Sequence, residues 1–395
     1  MLRSGPYALA MARPDFVLTV ALDTGPMYGA VTGVGRSVIE FVAEFQSRPQ
    51  DITVLPYALS FRAPLRPGTR RLTYPASMAM RSWGRWNFPA VNRSLRPAQL
   101  IHGTNFVVPP SRLPRLATVH DCWALRHPDQ CTPVVNRAMN VLRRAVSSGA
   151  HVHTPSRATA DAVSEIFPRA AVTVVPWAAP RQSSTDHRPP ALARWAPNTP
   201  VIASIGTLDH RKNLVRLIAA FASLATDFPD LLLALAGAPG NAMPAIEQAI
   251  NELPVELRKR VVLLGGVDHD QAMWLYRNCS ALAYPSLDEG FGFPLLEAMT
   301  AGVPIVAANT GSLPEIADDA ALLVDPLDTE ALAHGLSIAL SDSGRRQELI
   351  AAGTARLSHF SWPATADGLL NLYRSIVETS TNPTQRRNRT GRMNQ

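Results

Sequence analysis

Apolar positions along this chain alternate between short continuous runs and longer amphipathic stretches. Residues 16–22, FVLTVAL, form an unbroken β-branched and apolar run, the pattern of a strand buried on both faces. The loop DTGPMYGAVTGVG follows, and then SVIEFVAEF, whose apolar positions 38, 39, 41, 42 and 45 line one side of a helix. Strand, glycine loop and helix open a doubly wound α/β domain. DITVLPY, QLIHGTN, LATVHD, HVHTPS and VTVVP continue as short strands. VNRAMNVLRRAV and RATADAVSEIF read as helices between them, the second with Ser156 as its N-cap.

Residues 179–199 break this texture. They are rich in proline, alanine and polar residues, show no periodicity, and read as a linker. A second series then starts with the strand VIASIGTL and the helix NLVRLIAAFASLA. LLLALAG, VVLLGGV, ALAYPS, PIVAAN and ALLVDP are its further strands, with QAMWLYRN a helix among them. Helices at 329–342, 344–357 and 362–379 close the series. The pattern predicts two Rossmann-like domains facing each other across a cleft.

Candidate chemistry concentrates in the second series. In Tyr284 to Ile316, Glu289 sits on a glycine-rich loop that ends in Pro294, and Glu297 follows eight positions later in the first turn of a helix. Glycines admit a close backbone approach, and proline starts a helix without wasting a donor. A helix N-terminus offers free N–H groups and a positive dipole end to an anion. Two carboxylates bracketing such a site suit a ligand with hydroxyls on both sides of a phosphate, which describes a nucleotide-sugar. Gly206 to Asn213 lies at the carboxyl end of the first strand of this series, where open α/β sheets bind ligands. With Asn213 as N-cap and Leu214, Leu217, Ile218 and Phe221 as the buried face, Arg211 and Lys212 fall at the loop tip, aimed at the cleft. Arginine grips phosphate through paired N–H groups and lysine acts as a mobile point charge.

Several segments, in order, resemble glycosyltransferase family 4, retaining enzymes of the GT-B fold. They are TGVGR, TVHD at 118–121, SIGTLDHRKN at 204–213, GGV at 265–267, the paired-glutamate segment, ALLVDPLD and FSW, and the resemblance spans residues 16–375. It implies an acceptor domain at 1–180, a linker at 181–199, a nucleotide-sugar domain at 200–361, a helix at 362–380 packing back on the first domain, and a disordered basic tail at 381–395. It also implies roles. Arg211 and Lys212 hold the donor diphosphate, with Gly206 in the same loop. Glu297 binds ribose hydroxyls, Glu289 contacts the donor sugar, and the Gly290-Phe291-Gly292 backbone donates N–H groups. Gly33 and Gly35 lie in a loop over the donor phosphates, extended by the charge of Arg36. His120 stands close to the transferred sugar, while Asp121 either joins it or caps the next segment.

The reaction implied is transfer of a hexose, mannose from GDP-mannose by the likeness of TLDHRKN to TLEPRKN, to a glycan or lipid-linked hydroxyl acceptor of the cell envelope. UDP-glucose users share much of that motif. A phosphorylase and a non-catalytic binding module are the other readings. No cofactor and no required metal are implied, because GT-B enzymes neutralise the leaving diphosphate with basic side chains and helix dipoles. Asp268-His269-Asp270 reads as an N-cap, not a metal pair, and His151 and His153 as structural residues of a strand. One departure from the family is Val175-Pro176-Trp177-Ala178 in place of VPNG, which removes an easy positive-φ turn and predicts a reshaped hinge or donor-sugar edge.

At 395 residues, 46% of them hydrophobic, the chain has room for two cores. No apolar run reaches the ~18–20 residues of a membrane helix, and the leader MLRSGPYALAMARPD is wrongly flanked for a signal peptide. Cys122, Cys131 and Cys279 lack metal or redox spacing, which fits free thiols in a cytoplasmic protein. Charge is uneven: residues 1–190 hold 22 Arg, no Lys and 10 acidic residues, whereas 191–395 hold 16 basic and 21 acidic ones. A basic first domain fits peripheral contact with the anionic inner face of the plasma membrane, or simply an arginine-rich surface. No recognition motif for nucleic acid is present.

Overall fold

The computed structural model describes residues 17–381 apart from 30–31, 61–63, 180 and 182–185. The leader, the basic tail beyond Thr381 and part of the expected linker therefore lie outside the described residues.

The first domain carries a seven-stranded sheet of β1 (Leu18–Asp23), β2 (Ile52–Leu59), β3 (Arg70–Leu72), β4 (Leu100–Gly103), β5 (Arg115–Thr118), β6 (His151–Thr154) and β7 (Val172–Val174). The second carries β8 (Val201–Ile205), β9 (Leu232–Ala236), β10 (Val261–Gly265), β11 (Ala281–Tyr284), β12 (Ile305–Ala308) and β13 (Leu322–Val324). Strand orders are β3-β2-β1-β4-β5-β6-β7 and β10-β9-β8-β11-β12-β13, with every pairing parallel. Central pairs keep simple registers, such as Val20 opposite Leu100 and Leu282 opposite Ile305. Each order reverses at its first strand, between β1 and β4 and between β8 and β11, and a crevice opens outside the carboxyl ends at such a switch.

Helices cover both faces of each sheet, so most positions of the central strands are apolar, as their continuous runs require. Ser156 caps the helix Arg157–Ile166 by accepting a hydrogen bond from the Thr159 amide at 3.1 Å. Asp268 caps His269–Asn278 in a reciprocal capping box with Gln271.

Several elements escape the sequence pattern, among them the helix Met243–Glu252, which buries only Ile246. β3 has three residues, two of them arginine, and the helix Ala76–Trp86 buries only Ala79 and Trp83. So thin an apolar stripe leaves little periodicity to read.

The helix Trp362–Thr381 belongs to the second series by sequence but packs on the helix Gly33–Gln46 of the first domain. Tyr373 lies against Phe45, and Arg374 pairs with Asp51 at 3.3 Å. Where it crosses, Thr365 donates to the Pro176 carbonyl at 2.7 Å and Trp362 Nε1 to the Ala179 carbonyl at 2.8 Å. A Cβ on Gly368 would lie 2.7 Å from Val175, so the close crossing needs glycine there. Trp177 fills the junction: it is fully buried, stacked on Phe41 and in contact with His153, His120 and Trp362. The departure from VPNG thus puts a large core side chain behind His120. His153 also lies in this core, sharing hydrogen bonds with Thr118 and the Val175 carbonyl.

Candidate functional site

The loop after β8 turns at Gly206, whose positive φ and missing side chain let Lys212 fold back over it; a Cβ there would lie 3.3 Å from Lys212 Cε. His210–Lys212 form a single 3-10 turn, and Asn213 takes a left-handed conformation at the start of the helix Leu214–Leu224. Asn213 occupies the N-cap position without making a side-chain cap bond. Its amide instead donates to the Pro326 carbonyl at 2.7 Å and the Pro285 carbonyl at 3.1 Å, tying this loop to the one after β13 and to the one after β11.

That loop brings Glu289 to the two cations. Lys212 Nζ lies 2.6 Å from Glu289 Oε2 and Arg211 Nη1 lies 3.1 Å from the same oxygen. Tyr284 completes the cluster: it accepts from Lys212 and donates to Glu289 at 2.7 Å. All three charged side chains are at least four-fifths buried. Burial resists ionisation of Glu289, yet Arg211 and then Lys212 outweigh it and hold the carboxyl well below its ordinary range. The same pairing with Glu289 lifts Arg211 against its own burial.

Gly292 takes a left-handed conformation as N-cap of the helix Phe293–Ala301, and Pro294 falls in the first turn. Glu297, the next turn along, is buried and accepts from the Tyr276 hydroxyl at 2.6 Å. Its other oxygen meets Arg36 of the first domain at 3.2 Å. Burial pushes the Glu297 carboxyl up, against the bond from Tyr276 and the charge of Arg36.

Gly33 and Gly35 form the first turn of the helix Gly33–Gln46, where a loop was expected. A Cβ on Gly33 would lie 3.2 Å from the Phe293 ring, so this helix end abuts the second domain. Gly290 is closer still: a Cβ there would fall 1.6 Å from the His120 carbonyl oxygen. Its own carbonyl accepts from Ser156 at 2.7 Å and Thr159 at 3.0 Å, both in the first domain. His120 Nε2 bonds the Thr104 carbonyl at 2.8 Å, which makes Nε2 the protonated nitrogen of the neutral ring. Burial lowers its pKa, with the Thr104 bond and Asp121 opposing. Asp121 accepts from the Trp123 amide at 3.0 Å, capping its own segment.

Arg211, Lys212 and Glu289 therefore come together over Gly206, while three contacts join the domains: Gly290 with His120, Gly33 with Phe293 of the helix that Gly292 caps, and Glu297 with Arg36. The Phe291 side chain packs in the core on Phe293 and Phe360, so any part it has in the site belongs to its backbone. A cavity of about 400 Å³ opens beside Glu289, lined by Asp121, Trp123, Asp161 and Asp288 among others. Sequence reasoning missed Tyr284 and Tyr276, whose hydroxyls sit within apolar runs. It also missed Glu315, which accepts from the Arg157 and Ala158 amides and so caps a first-domain helix from the second domain.

The sequence pattern described as Glycosyl transferases group 1 matches residues 192–356, and that described as Glycosyltransferase Family 4 matches residues 31–179. The chain belongs to glycosyltransferase family 4. It is 29% identical over 177 residues to the O-antigen chain mannosyltransferase B of Escherichia coli, covering 44% of this chain and 45% of that one. It is 34% identical over 184 residues to the D-inositol 3-phosphate glycosyltransferase of Rhodococcus jostii, covering 45% and 41%. The chain thus spans less than half the length of the curated relatives it matches. Among solved structures, a sucrose-phosphate synthase from Thermosynechococcus elongatus aligns at a TM-score of 0.69 with 20% identity, covering 92% of this chain and all of that one. WaaG, a glycosyltransferase involved in lipopolysaccharide biosynthesis, aligns at 0.67 with 17% identity, covering 90% and 99%. For this family 4 chain, those two likenesses bear out the GT-B fold.

Proposed function

We propose that the chain is a retaining hexosyltransferase that takes mannose from GDP-mannose to a hydroxyl acceptor in cell-envelope glycan. One observation carries this reading: Arg211 and Lys212 converge on Glu289 at the carboxyl ends of the second sheet, with His120 of the first domain held close by the Gly290 contact. A donor diphosphate would meet two buried cations beside a helix N-terminus, and its sugar would meet Glu289. Glu297 would take the ribose hydroxyls by exchanging its bond with Arg36.

In such a transfer the bond from the anomeric carbon to the phosphate oxygen breaks, and a bond to the acceptor oxygen forms on the same face. The acceptor proton passes to the departing phosphate, so no side-chain base is required. Arg211 and Lys212 stabilise the charge left on that phosphate, and domain closure excludes water. The acceptor is assigned to the cavity beside Glu289, whose carboxylate-rich lining suits a neutral saccharide better than a phosphorylated one. The likeness to mannosyltransferases favours GDP-mannose, and no cofactor or metal is needed for these steps.

A second reading, a UDP-glucose donor, is favoured by the likeness of the fold to Anabaena HepE, solved with UDP and glucose. A thermal-shift panel of GDP-, UDP- and ADP-sugars, followed by mass spectrometry of products formed with cell extract, separates the two. Stabilisation by phosphate alone, with no response to any nucleotide-sugar, would point to a phosphorylase.

A further inference from the structure

We propose that the outward face of the helix Ala76–Trp86, with the turns that follow it, is a docking surface for a bilayer rich in anionic phospholipid. The first observation is one of charge. Between Asp51 and Asp121 the chain has ten arginines and no acidic residue. Uneven charge alone is compatible with any anion, so the placement of side chains decides the partner.

Ala79 and Trp83 turn the inner face of this helix into the core, and Gly84 seats it against Asn140 and Val141 of the helix Pro133–Ser147. Flanking them, the outward ridge of Met78, Ser82 and Trp86 leaves Met78 65% exposed and Trp86, the last residue of the helix, 68%. Arg81 and Arg85 stand exposed on the same outward side. Ser82 donates to the Phe88 carbonyl, which folds Phe88, 66% exposed, back beside this face. Arg93 and Arg96 are exposed in the next turns, and Asn92 accepts from Ser111 and the Arg112 amide, bringing Arg112 to the same region. Among the described residues none of these five arginines forms an ion pair.

Three large apolar side chains among unpaired arginines match the two layers of a membrane interface. Tryptophan and phenylalanine settle at the headgroup–acyl boundary, and arginines reach lipid phosphates from above it. A soluble polyanion would use the arginines and leave Met78, Trp86 and Phe88 in water. No helix among the described residues is long and apolar enough to cross a membrane, so the contact is one of surface docking. This inference does not rest on the choice of donor or acceptor.

The test is co-sedimentation of the full chain with phosphatidylglycerol or phosphatidylcholine vesicles. Binding to the first and not the second is expected, weakening as salt rises. Each arginine lost should lower partitioning about fivefold, so R81Q/R85Q should fall by roughly 25-fold and R81E/R85E further. W86S/F88S should lose binding that persists at high salt. Melting temperature and nucleotide-sugar thermal shifts should match the parent chain in all three variants, which keeps this test separate from that of the proposed function. Equal vesicle binding by parent and variants overturns the proposal, as does retention on heparin with none on vesicles.

Discussion

Arg36 and Glu297 meet at 3.2 Å across the cleft although 261 positions separate them in the chain. Each side of the pair comes from a helix in its first or second turn, so the contact reports directly on how the domains face each other. Removing the arginine leaves a buried carboxylate with Tyr276 as its one remaining hydrogen-bond donor among the described residues. R36A should cost about 1–3 kcal/mol of stability and loosen closure. Denaturant unfolding and an increased radius of gyration in small-angle scattering check it; unchanged values in both would show that the pair does not hold the domains.

Gly290 makes a sharper prediction. A methyl group there would collide with the His120 backbone, and neither partner is a flexible side-chain end. G290A should prevent the two domains from meeting as they do here. Misplacement by about 1 Å costs on the order of 10²-fold in rate, so turnover should fall by at least that factor. Circular dichroism and melting of the separate sheets should change little.

For the charge cluster, R211A or K212A should lower turnover roughly 10²–10³-fold, the scale of losing one donor to developing charge. Y284F, which keeps the ring and loses only the bridge between Lys212 and Glu289, should cost less than either. Steady-state kinetics with the best donor from the panel decide this, and full activity in both alanine variants would remove the pair from the mechanism.

Two carboxylates give opposite dependences of stability on pH. Burial pushes Asp23 up to about 7, against a bond from the Gly25 amide. The folded chain then keeps a proton that the unfolded chain has lost, so stability falls as pH rises from near 3.8 to about 7. Glu289 is depressed, so its contribution is present above the ordinary 4.5 and is lost as pH falls below it. D23N should flatten the first slope and E289Q the second, as read by chemical denaturation across pH.

Much of the fold was legible because parallel strands buried on both faces leave unbroken apolar runs, and FVLTVAL or LLLALAG can be little else. Arg211, Lys212, Glu289 and Glu297 were legible as well, since each sits beside a glycine, an N-cap or a proline that marks a strand's carboxyl end. What could not be read is pairing across the cleft. Nothing local to Glu315 announces that it caps Arg157–Ile166, and nothing near Arg36 names Glu297. Gly33 and Gly35 suggested a loop because glycine marks both freedom and close contact, and at Gly33 contact with Phe293 is the reason. Tyr284 and Tyr276 read as apolar, their hydroxyls being silent in any hydrophobic pattern.

The helix Trp362–Thr381 has a consequence for how this protein can be divided. It supplies a wall of the first domain's interior from beyond the second domain, so a fragment ending at the linker would expose Phe45 and its neighbours to water. Exchanging the first domain with that of a relative would require exchanging this last segment too. Inheritance of acceptor preference in such chimeras should therefore follow two separate stretches of sequence together.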